Sequence, residues 1–380
     1  MKRTILVRYN EIALKSRSVR TSFEKILIQN IERTLRNSEY ELSRTFGRIY
    51  VKTSDWRRAI KRLAKVPGIA SVSPARRTDA VLSKILSLAV EEAEKSFSRK
   101  GTFAVRSRRA GKHDFTSQEL NEDIGREILR ANPDLKVDLD APDQEIFVEV
   151  REKDAFVFTE VVEGIGGLPV GSQGKVLAIL SDAIFSPAAI LLMLKRGCPV
   201  QPIFLNVPSS NKERKKDLII NASGKLKNFY PEIELLAIPF RHILRKINKK
   251  IPKKSRYVVC KRLTLRLAEI VAERVGAKAI VVGGGEERKI GVTLGDLAII
   301  EEAVQIPILR PLAGLEKKEI KQIAREIGIA RSPSRVLAPC TDAHFTKALN
   351  LEEIKKVEES LSFEDLLKQS LEGIETVPFR

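Results

Sequence analysis

The order of apolar and polar residues divides the chain into three regions with different patterns. In residues 1–75, a short apolar run at 4–9 precedes a segment, 22–35, whose apolar side chains recur at helical spacing. A second strand-like run at 48–51 and a second helical segment at 56–63 follow. Because strands and helices alternate over so short a length, this region predicts a ferredoxin-like α+β domain.

The second region, residues 76–165, mixes strands and helices with a different spacing. A helical period at 82–97 is followed by a strand-like run at 102–106. Two later segments, 145–150 and 155–158, alternate apolar and polar residues and therefore predict a β-hairpin. We expect a second small α/β domain here.

A helix between those strands carries its own start signal. Thr116 is a preferred N-cap residue, and Glu119 three positions later completes a capping box, so the sequence predicts a helix over 116–129. The glycine-rich stretch after the hairpin, residues 166–174, shows neither period and predicts a linker to the last region.

From residue 175 to 380 the pattern changes to buried-type strands that alternate with helices. Residues 176–180 form an apolar run, and similar runs occur at 202–205 and 279–282. Ser186, which a proline follows, predicts the N-cap of the helix after the first strand. This is the pattern of a parallel, doubly wound sheet, which binds ligands at the carboxyl ends of its strands, beside helix N-termini.

Composition narrows the choice of partner. The 380 residues include 68 Lys and Arg against 49 Asp and Glu, a formal net charge of +19, which favours a polyanion such as nucleic acid. No apolar run approaches the ~20 residues that cross a bilayer. No signal-peptide core precedes Arg8, so we expect a cytoplasmic protein with no membrane partner. Three cysteines without a CxxC pair argue against a disulfide scaffold and a zinc ribbon.

Basic residues concentrate in segments that suit a phosphate backbone. Residues 241–266 hold eleven Lys and Arg and no acid, whereas a solvated helix face would interleave both signs. A second basic turn occupies 106–113. The RNA-binding residues that we predict are Arg8, Lys15, Arg17, Arg20, Arg106, Arg108, Arg109, Lys112, Lys249, Lys250, Lys253 and Lys254.

Three features carry candidate chemistry, and each also has a plainer interpretation. The turn 181–186 follows the first strand of the third region, where nucleotide phosphates would bind, but it also fits an ordinary strand-to-helix turn. Gly283 opens a glycine triplet at another strand end, which either admits a ligand or is a simple turn. Cys340 lies four residues before His344, a spacing that fits an activated thiolate or an incidental surface thiol.

Together these residues resemble the family of tRNA 4-thiouridine synthetases, also called tRNA sulfurtransferases. Residues 7–15 with Phe23 are similar to the N-terminal ferredoxin-like domain of that family, and 76–165 are similar to its THUMP domain. Residues 166–171 match the start of its next domain, and 310–315 are also family-like. The resemblance implies a multidomain chain with α+β and α/β parts: a ferredoxin-like domain, a THUMP domain, a linker, and a doubly wound ATP pyrophosphatase domain of the PP-loop type.

The resemblance also implies an activity and its components. Members of the family adenylate uridine 8 of tRNA with ATP and Mg²⁺, and sulfur from a persulfide protein or sulfide then displaces AMP. The implied partners are therefore tRNA and a sulfur donor, and the implied assembly is a homodimer. Cys340 is implied as the sulfur carrier, with Cys260 as a second functional cysteine. By position, the nucleotide-binding residues are Ile179, Leu180, Ser181, Ser186, Phe204, Leu205, Lys261, Gly283 and Val292.

The chain departs from the family at several of these positions. In the pattern Ser-Gly-Gly-x-Asp-Ser, Asp182 and Ala183 replace the glycines that would cradle pyrophosphate, and Phe185 replaces a carboxylate that would help hold Mg²⁺. Val292 replaces a glutamine. Some archaeal members hold an iron–sulfur cluster with three cysteines; here Tyr257 occupies the first position, while Cys260 and Cys340 match the other two, so the resemblance leaves a cluster possible. Two hypotheses follow: a working ATP-dependent sulfurtransferase, or a tRNA-binding paralogue or accessory subunit whose nucleotide site has decayed.

Overall fold

The computed structural model describes residues 3–45, 47–207, 213–329, 350–359, 361 and 363–379. The chain divides into two compact units, Met1–Gly167 and Leu168–Arg380, which we call the N-terminal and C-terminal units. Each unit has its own sheet and its own apolar core. Among the described residues, no helix combines the length and the apolar character that crossing a membrane requires.

The N-terminal unit is built on one sheet of nine strands within the described residues. Its strands are β1 (Arg3–Arg8), β2 (Glu41–Thr45), β3 (Arg48–Thr53), β4 (Ser71–Asp79), β5 (Gly101–Arg109), β6 (Leu135–Val137), β7 (Gln144–Val150), β8 (Asp154–Phe158) and β9 (Val162–Glu163). Its helices are α1 (Arg17–Leu35), α2 (Trp56–Leu63), α3 (Leu82–Ser96) and α4 (Ser117–Ala131).

One long strand, β4, joins the two halves of this sheet. Its residues 71–75 pair antiparallel with β1, and its residues 76–79 pair antiparallel with β8. The strand order is β2-β3-β1-β4-β8-β7-β5-β6, with β9 beside the start of β4. The position between residues 75 and 76, where the sequence analysis divides two domains, therefore lies inside a continuous strand.

Apolar side chains of the helices fix the strands that carry the candidate RNA-binding residues. Leu27 of α1 is buried in one cluster with Ile5 of β1, and Ile124 of α4 is buried in another with Phe103 of β5. Full burial of such side chains contributes about 1.5–3 kcal/mol each. This packing sets the positions of the strands β1 and β5.

Several local predictions are confirmed in this unit. Helix α2 has the predicted bounds, Thr116 and Glu119 form the capping box of α4, and β7 pairs antiparallel with β8 as the predicted hairpin. The sequence does not predict β2, β4 or β6, because their residues are mostly polar or too few to show a period.

The C-terminal unit alternates strands and helices. Its strands are β10 (Val176–Leu180), β11 (Val200–Asn206), β12 (Leu235–Pro239), β13 (Ile280–Val282), β14 (Ile308–Leu309) and β15 (Glu375–Val377). Its helices are α5 (Phe185–Lys195), α6 (Glu213–Gly224), α7 (Arg241–Lys250), α8 (Arg256–Val275), α9 (Gly285–Ile290), α10 (Leu294–Glu301), α11 (Lys317–Ile327), α12 (Leu351–Glu359) and α13 (Phe363–Glu372). Short 3-10 turns occupy Lys225–Asn228 and Lys253–Ser255.

The sheet of this unit confirms the predicted parallel, doubly wound pattern. The strand order is β14-β13-β10-β11-β12-β15, and β10 to β14 pair parallel while β15 runs antiparallel to β12. The chain passes from β10 to β11 on one side and later returns to β13 on the other side. The order therefore reverses between β10 and β13, and the crevice at such a switch point is where doubly wound sheets bind ligands.

The helix after β10 begins differently from the prediction. Ser186, the predicted N-cap, lies inside α5, which begins at Phe185 with Ile184 in the N-cap position. The prediction is wrong because Asp182, earlier in the turn, accepts the backbone N–H groups that a capping residue would accept. A buried carboxylate thus takes the place of the expected serine hydroxyl.

Candidate functional site

A cavity of about 1240 Å³ opens in the N-terminal unit, lined mainly by residues of β5, β7 and α4. Its lining combines guanidinium groups with aromatic rings. Arg8, Arg106 and Arg108 contribute three of its cations, and the lining also includes the carboxylates of Glu122, Glu145, Glu149 and Glu163. Phe147 and Phe158 contribute two rings that stack with centroids 5.2 Å apart and 8° between their planes. Cations beside aromatic rings are the surface that unpaired nucleotides bind.

Three arginines contact one buried carboxylate at the wall of this cavity, and a fourth arginine lies near Arg8. Glu149 is 4 % exposed. Its Oε1 lies 2.8 Å from Nε of Arg48 and accepts a hydrogen bond of 3.1 Å from Nε of Arg151. Its Oε2 lies 3.7 Å from Nη2 of Arg8, and Arg108 is the fourth cation of the cluster. Four positive charges and one negative charge leave a net positive site, which suits an RNA phosphate.

The charges of this cluster shift one another's pKa. Burial lowers the pKa of Arg8 to about 10; Glu149 opposes the shift, and Arg48, Arg108 and Arg151 add to it. Burial alone would raise the pKa of Glu149, but Arg48 and Arg151 outweigh burial and hold this pKa below its usual value. The carboxylate therefore offsets only part of the repulsion among the arginines, and an incoming phosphate would offset more.

The three predicted arginines of the cavity differ in how firmly they are held. Arg8 donates from Nη1 to Oγ of Ser73 at 2.9 Å, and its guanidinium carbon lies 4.9 Å from the ring centroid of Phe158. Arg106 pairs with Glu145, Nε to Oε1, at 2.9 Å. Arg108 is exposed. Arg8 is therefore a fixed cation, whereas Arg108 presents its charge to solvent.

The cavity includes a further cation that the sequence analysis misses. Arg126 of α4 is part of the lining and pairs with Asp123 at 2.9 Å. In the sequence it is one of several charged residues on the polar face of a helix, so nothing local distinguishes it. The other predicted residues of this unit are described but lie outside the lining: Lys15, Arg17, Arg20, Arg109 and Lys112.

The basic segment of the C-terminal unit is divided between surface and interior. Its exposed lysines are Lys249, Lys250, Lys253 and Lys254, at the end of α7 and in the following 3-10 turn. Arg262 of α8, by contrast, is 0 % exposed. Its Nε lies 2.7 Å from Oε1 of Glu358, and its Nη2 lies 3.0 Å from Oε2 of Glu302. The prediction of a continuous phosphate-contacting strip over 241–266 is therefore wrong at Arg262, which fixes α8 to α12.

Most predicted nucleotide-binding residues lie near the carboxyl ends of three adjacent strands, β13, β10 and β11. These residues are Ile179, Leu180, Ser181, Ser186, Phe204, Leu205 and Gly283. Lys261 lies on α8, with Nζ 5.5 Å from the ring centroid of Tyr257. Val292 lies between α9 and α10 and packs, half-buried, against the apolar core of the unit.

The turn between β10 and α5 is organised by Asp182. Its Oδ1 accepts the backbone N–H groups of Ile184 at 2.8 Å, of Phe185, and of Ser186 at 3.4 Å. Its Oδ2 accepts the hydroxyl of Ser186 at 3.2 Å and that of Ser181 at 3.4 Å. Asp182 is 1 % exposed, and burial raises its pKa while these hydrogen bonds oppose the shift. Three backbone donors and two hydroxyls thus point at one carboxylate.

The glycine loop after β13 packs directly on this turn. A Cβ atom at Gly283 would lie 2.9 Å from the backbone nitrogen of Ser186. A Cβ atom at Gly285 would lie 2.9 Å from the ring of Phe185 and 3.1 Å from Oδ2 of Asp182. The space that these glycines leave open is therefore filled by the protein's own turn between β10 and α5.

The contacts of Asp182 and of the glycine loop determine whether the phosphates of ATP fit the turn between β10 and α5. The family resemblance places them where glycine backbones leave N–H groups open to an anion. Here the N–H groups of residues 184–186 bind Asp182, and the side chains of residues 182–186 are all at most 8 % exposed. An ATP phosphate therefore does not fit this conformation of the turn.

The predicted sulfur chemistry lies mostly outside the described residues. Cys340 and His344 both fall there. Cys260 is 1 % exposed on α8, and Tyr257 is fully buried on the same helix. Within the described ranges, no group of three or more His, Cys, Asp and Glu side chains is placed to hold a metal ion.

Comparisons with known protein families match all three regions of the chain. Residues 4–73 match the ThiI ferredoxin-like domain, and residues 79–160 match the THUMP domain. Residues 171–363 match the family described as thiamine biosynthesis protein (ThiI). Fold and matches together define a THUMP-containing protein with a C-terminal domain of the PP-loop type.

Individual relatives cover nearly the whole chain. A probable tRNA sulfurtransferase of Methanocaldococcus jannaschii is 37% identical over 95% of this chain and 97% of its own length. One from Acetivibrio thermocellus is 33% identical over 99% of both chains. A crystal structure of a 4-thiouridine synthetase–RNA complex with bound ATP has a TM-score of 0.85 at 27% identity and covers 100% of both chains.

The chain belongs to the tRNA sulfurtransferase family. This confirms the resemblance that the sequence analysis states, including the order of the ferredoxin-like, THUMP and PP-loop parts. Whole-length similarity to proteins named as sulfurtransferases does not favour the alternative of a paralogue that only binds RNA.

Proposed function

We propose that this chain binds tRNA through the cavity of its N-terminal unit and makes 4-thiouridine in that tRNA. The observation that carries the RNA part is the excess of guanidinium groups over carboxylates around Glu149, at the wall of a cavity that also presents aromatic rings. The thiolation part rests on the family and on the similar structure that holds RNA and ATP.

The single-stranded 3′ end of tRNA is the segment that we propose for the cavity. Unpaired nucleotides leave their bases open to aromatic side chains and their phosphates open to arginines. Phe147 offers a half-buried ring, and Arg8 and Arg108 offer the charges. The rest of the THUMP domain, to which most of the cavity lining belongs, would contact the folded part of the acceptor stem by shape and phosphate position.

The remaining components of the reaction are proposed from the family. They are uridine 8 as the target, ATP with Mg²⁺ as the activating substrate, Cys340 as the sulfur carrier assisted by Cys260, and a persulfide protein or sulfide as the donor. A homodimer in the cytoplasm completes the proposal. An iron–sulfur cluster is not part of it, because a buried tyrosine, Tyr257, occupies one of the three ligand positions.

Nucleoside analysis tests the thiolation part. Transfer RNA from a strain that lacks this gene should contain no 4-thiouridine by mass spectrometry, and returning the gene should restore it. A gene that encodes the Cys340→Ala variant should not restore 4-thiouridine. A gene that encodes Cys198→Ala should restore it, because Cys198 is a separate, free and buried cysteine. Unchanged 4-thiouridine in the deletion strain would contradict the proposal.

Binding measurements test the RNA part. We expect the chain to bind intact tRNA and to bind tRNA trimmed of its unpaired 3′ nucleotides about tenfold more weakly, since one good phosphate or base contact is worth about 1–3 kcal/mol. Equal affinity for both RNAs would show that the cavity does not hold the 3′ end.

A further inference from the structure

In the turn after β10, a side-chain carboxylate of the protein lies where a bound anion would be expected. The N-terminus of α5 carries the positive end of the helix dipole, and its first N–H groups have no partner within the helix. A phosphate is the ligand that such a terminus usually binds at a switch point. Here the carboxylate of Asp182 takes that place, with three backbone N–H groups and two hydroxyls as donors.

The Asp182 carboxylate and the residues packed around it leave no room for a second anion. Two anions a few ångströms apart in a buried site repel strongly, because the local dielectric constant is low. The carboxylate is 1 % exposed, and the ring of Phe185 and the loop from Gly283 to Gly285 pack against the same turn. A phosphate can therefore enter only if the Asp182 side chain leaves.

Departure of Asp182 would release the donors that a phosphate needs. The hydroxyls of Ser181 and Ser186 bind its Oδ2, and both serines match the PP-loop pattern of the family. Removing the carboxylate frees them together with the N–H groups of residues 184–186. The turn thus keeps a complete set of anion donors but directs them inward.

We propose that the Asp182 carboxylate is an internal competitor for the phosphate site of the C-terminal unit, and that it holds the affinity for ATP low until it is displaced. The identity of ATP as the displaced ligand rests on the proposed function. The placement of the carboxylate rests on this chain's own contacts.

Two substitutions separate the charge of Asp182 from its volume. Asp182→Asn removes the charge but keeps an oxygen that accepts the backbone N–H groups. Asp182→Gly removes the side chain and restores a glycine of the family pattern. Asp296→Asn is the matched control, because Asp296 also caps a helix of this unit, accepting the N–H of Thr293 at 2.8 Å, but takes no part in the hydrogen bonds of the turn.

The test is isothermal titration calorimetry with ATP–Mg²⁺, and separately with inorganic pyrophosphate. We expect Asp182→Gly to bind both at least tenfold more tightly than the unchanged chain, Asp182→Asn to bind with an intermediate affinity, and Asp296→Asn to match the unchanged chain. Cooperative thermal unfolding of each variant shows that it is folded; if Asp182→Gly is unfolded, Asp182→Asn decides the result.

Two results would overturn the proposal. One is equal ATP and pyrophosphate affinity in the unchanged chain and in a folded Asp182 variant. The other is tight binding of ATP by the unchanged chain. Neither result depends on tRNA, so tRNA binding and 4-thiouridine analysis report on the proposed function separately from the role of Asp182.

Discussion

Each unit buries one carboxylate at the place where we propose that an anionic ligand binds, and the two carboxylates are held in opposite ways. Glu149 of the N-terminal unit faces guanidinium groups, whereas Asp182 of the C-terminal unit faces backbone N–H groups and hydroxyls. Burial disfavours the charge at both. At Glu149 the arginines outweigh burial and the pKa falls, whereas at Asp182 burial outweighs the hydrogen bonds and the pKa rises.

In the roles that we propose, one buried acid supports anion binding and the other blocks it. Around Glu149 the cations outnumber the acid, so positive charge remains for a ligand. Around Asp182 the donors are neutral and all are directed at the acid, so nothing remains for a ligand unless the side chain moves. The count and charge of the donors, and not burial as such, separate the two sites.

The largest effect on stability should come from Glu149→Gln. Removing this charge leaves Arg8, Arg48 and Arg151 close together, and we expect the free energy of unfolding at pH 7 to fall by about 3 kcal/mol. Because the pKa of Glu149 lies below its unfolded value of 4.5, this stabilisation is present above that pH and is lost as the pH falls through the lower, folded value.

Urea unfolding at two pH values checks this prediction. The difference between the unchanged chain and Glu149→Gln should be smaller at pH 3 than at pH 7. Glu145→Gln, which removes a half-exposed partner of Arg106, should change stability by less than about 1 kcal/mol. If the loss of stability on substitution is the same at both pH values, the arginines do not stabilise the ionised form of Glu149.

A smaller effect is expected on RNA affinity from Arg108→Ala. This substitution removes an exposed cation of the cavity, and we expect tRNA affinity to fall about tenfold and the dependence on salt to become shallower by about 0.7–0.9. Arg130→Ala on α4 is the control, since it removes the same charge outside the cavity lining and should change affinity less than about twofold. Filter binding at several salt concentrations measures both quantities, and equal losses would place the RNA elsewhere.

The basic segment of the C-terminal unit should contribute less. Replacing Lys249, Lys250, Lys253 and Lys254 with Ala should weaken tRNA binding about fivefold and flatten its salt dependence, because exposed lysines contact phosphates without fixed geometry. The control replaces four basic residues of α11 with Ala: Lys317, Lys318, Lys321 and Arg325. If both sets of substitutions weaken binding alike, only net charge matters and the segment has no specific role.

The smallest effect on stability should come from Asp182→Asn. Because burial raises the pKa of Asp182, its ionised form is less favoured in the folded chain than in the unfolded chain; the associated stability is complete below the unfolded pKa of 3.8 and declines as the pH rises through the folded value. A neutral asparagine should therefore change the free energy of unfolding at pH 7 by less than about 1 kcal/mol. A loss near the one predicted for Glu149→Gln, in the same urea experiment, would remove the contrast between the two sites.

Local signals in the sequence predict local structure well and long-range contacts poorly. The capping box at Thr116 and the hairpin of β7 and β8 depend on neighbouring residues, and both are confirmed. The cluster around Glu149 depends on residues far apart in the chain, such as Arg48, which lies 101 positions away. No periodicity or motif marks such a pair, because only the folded sheet brings β3 and β7 together.

The start of α5 shows how a local signal can mislead. Ser186 followed by proline is a good capping signal, but the carboxylate of Asp182 reaches the same N–H groups and accepts them instead. In the sequence, Asp182 is only a departure from the family pattern. Its role as the group that closes the turn becomes visible only from the contacts.

The continuity of β4 has a consequence for how this protein can be divided. A cut between residues 75 and 76 would break this strand into a piece that pairs with β1 and a piece that pairs with β8, and it would separate the first piece from β9. The ferredoxin-like and THUMP parts therefore form one structural unit, joined by a continuous strand. A gene fusion or expression fragment that needs one of them must carry both.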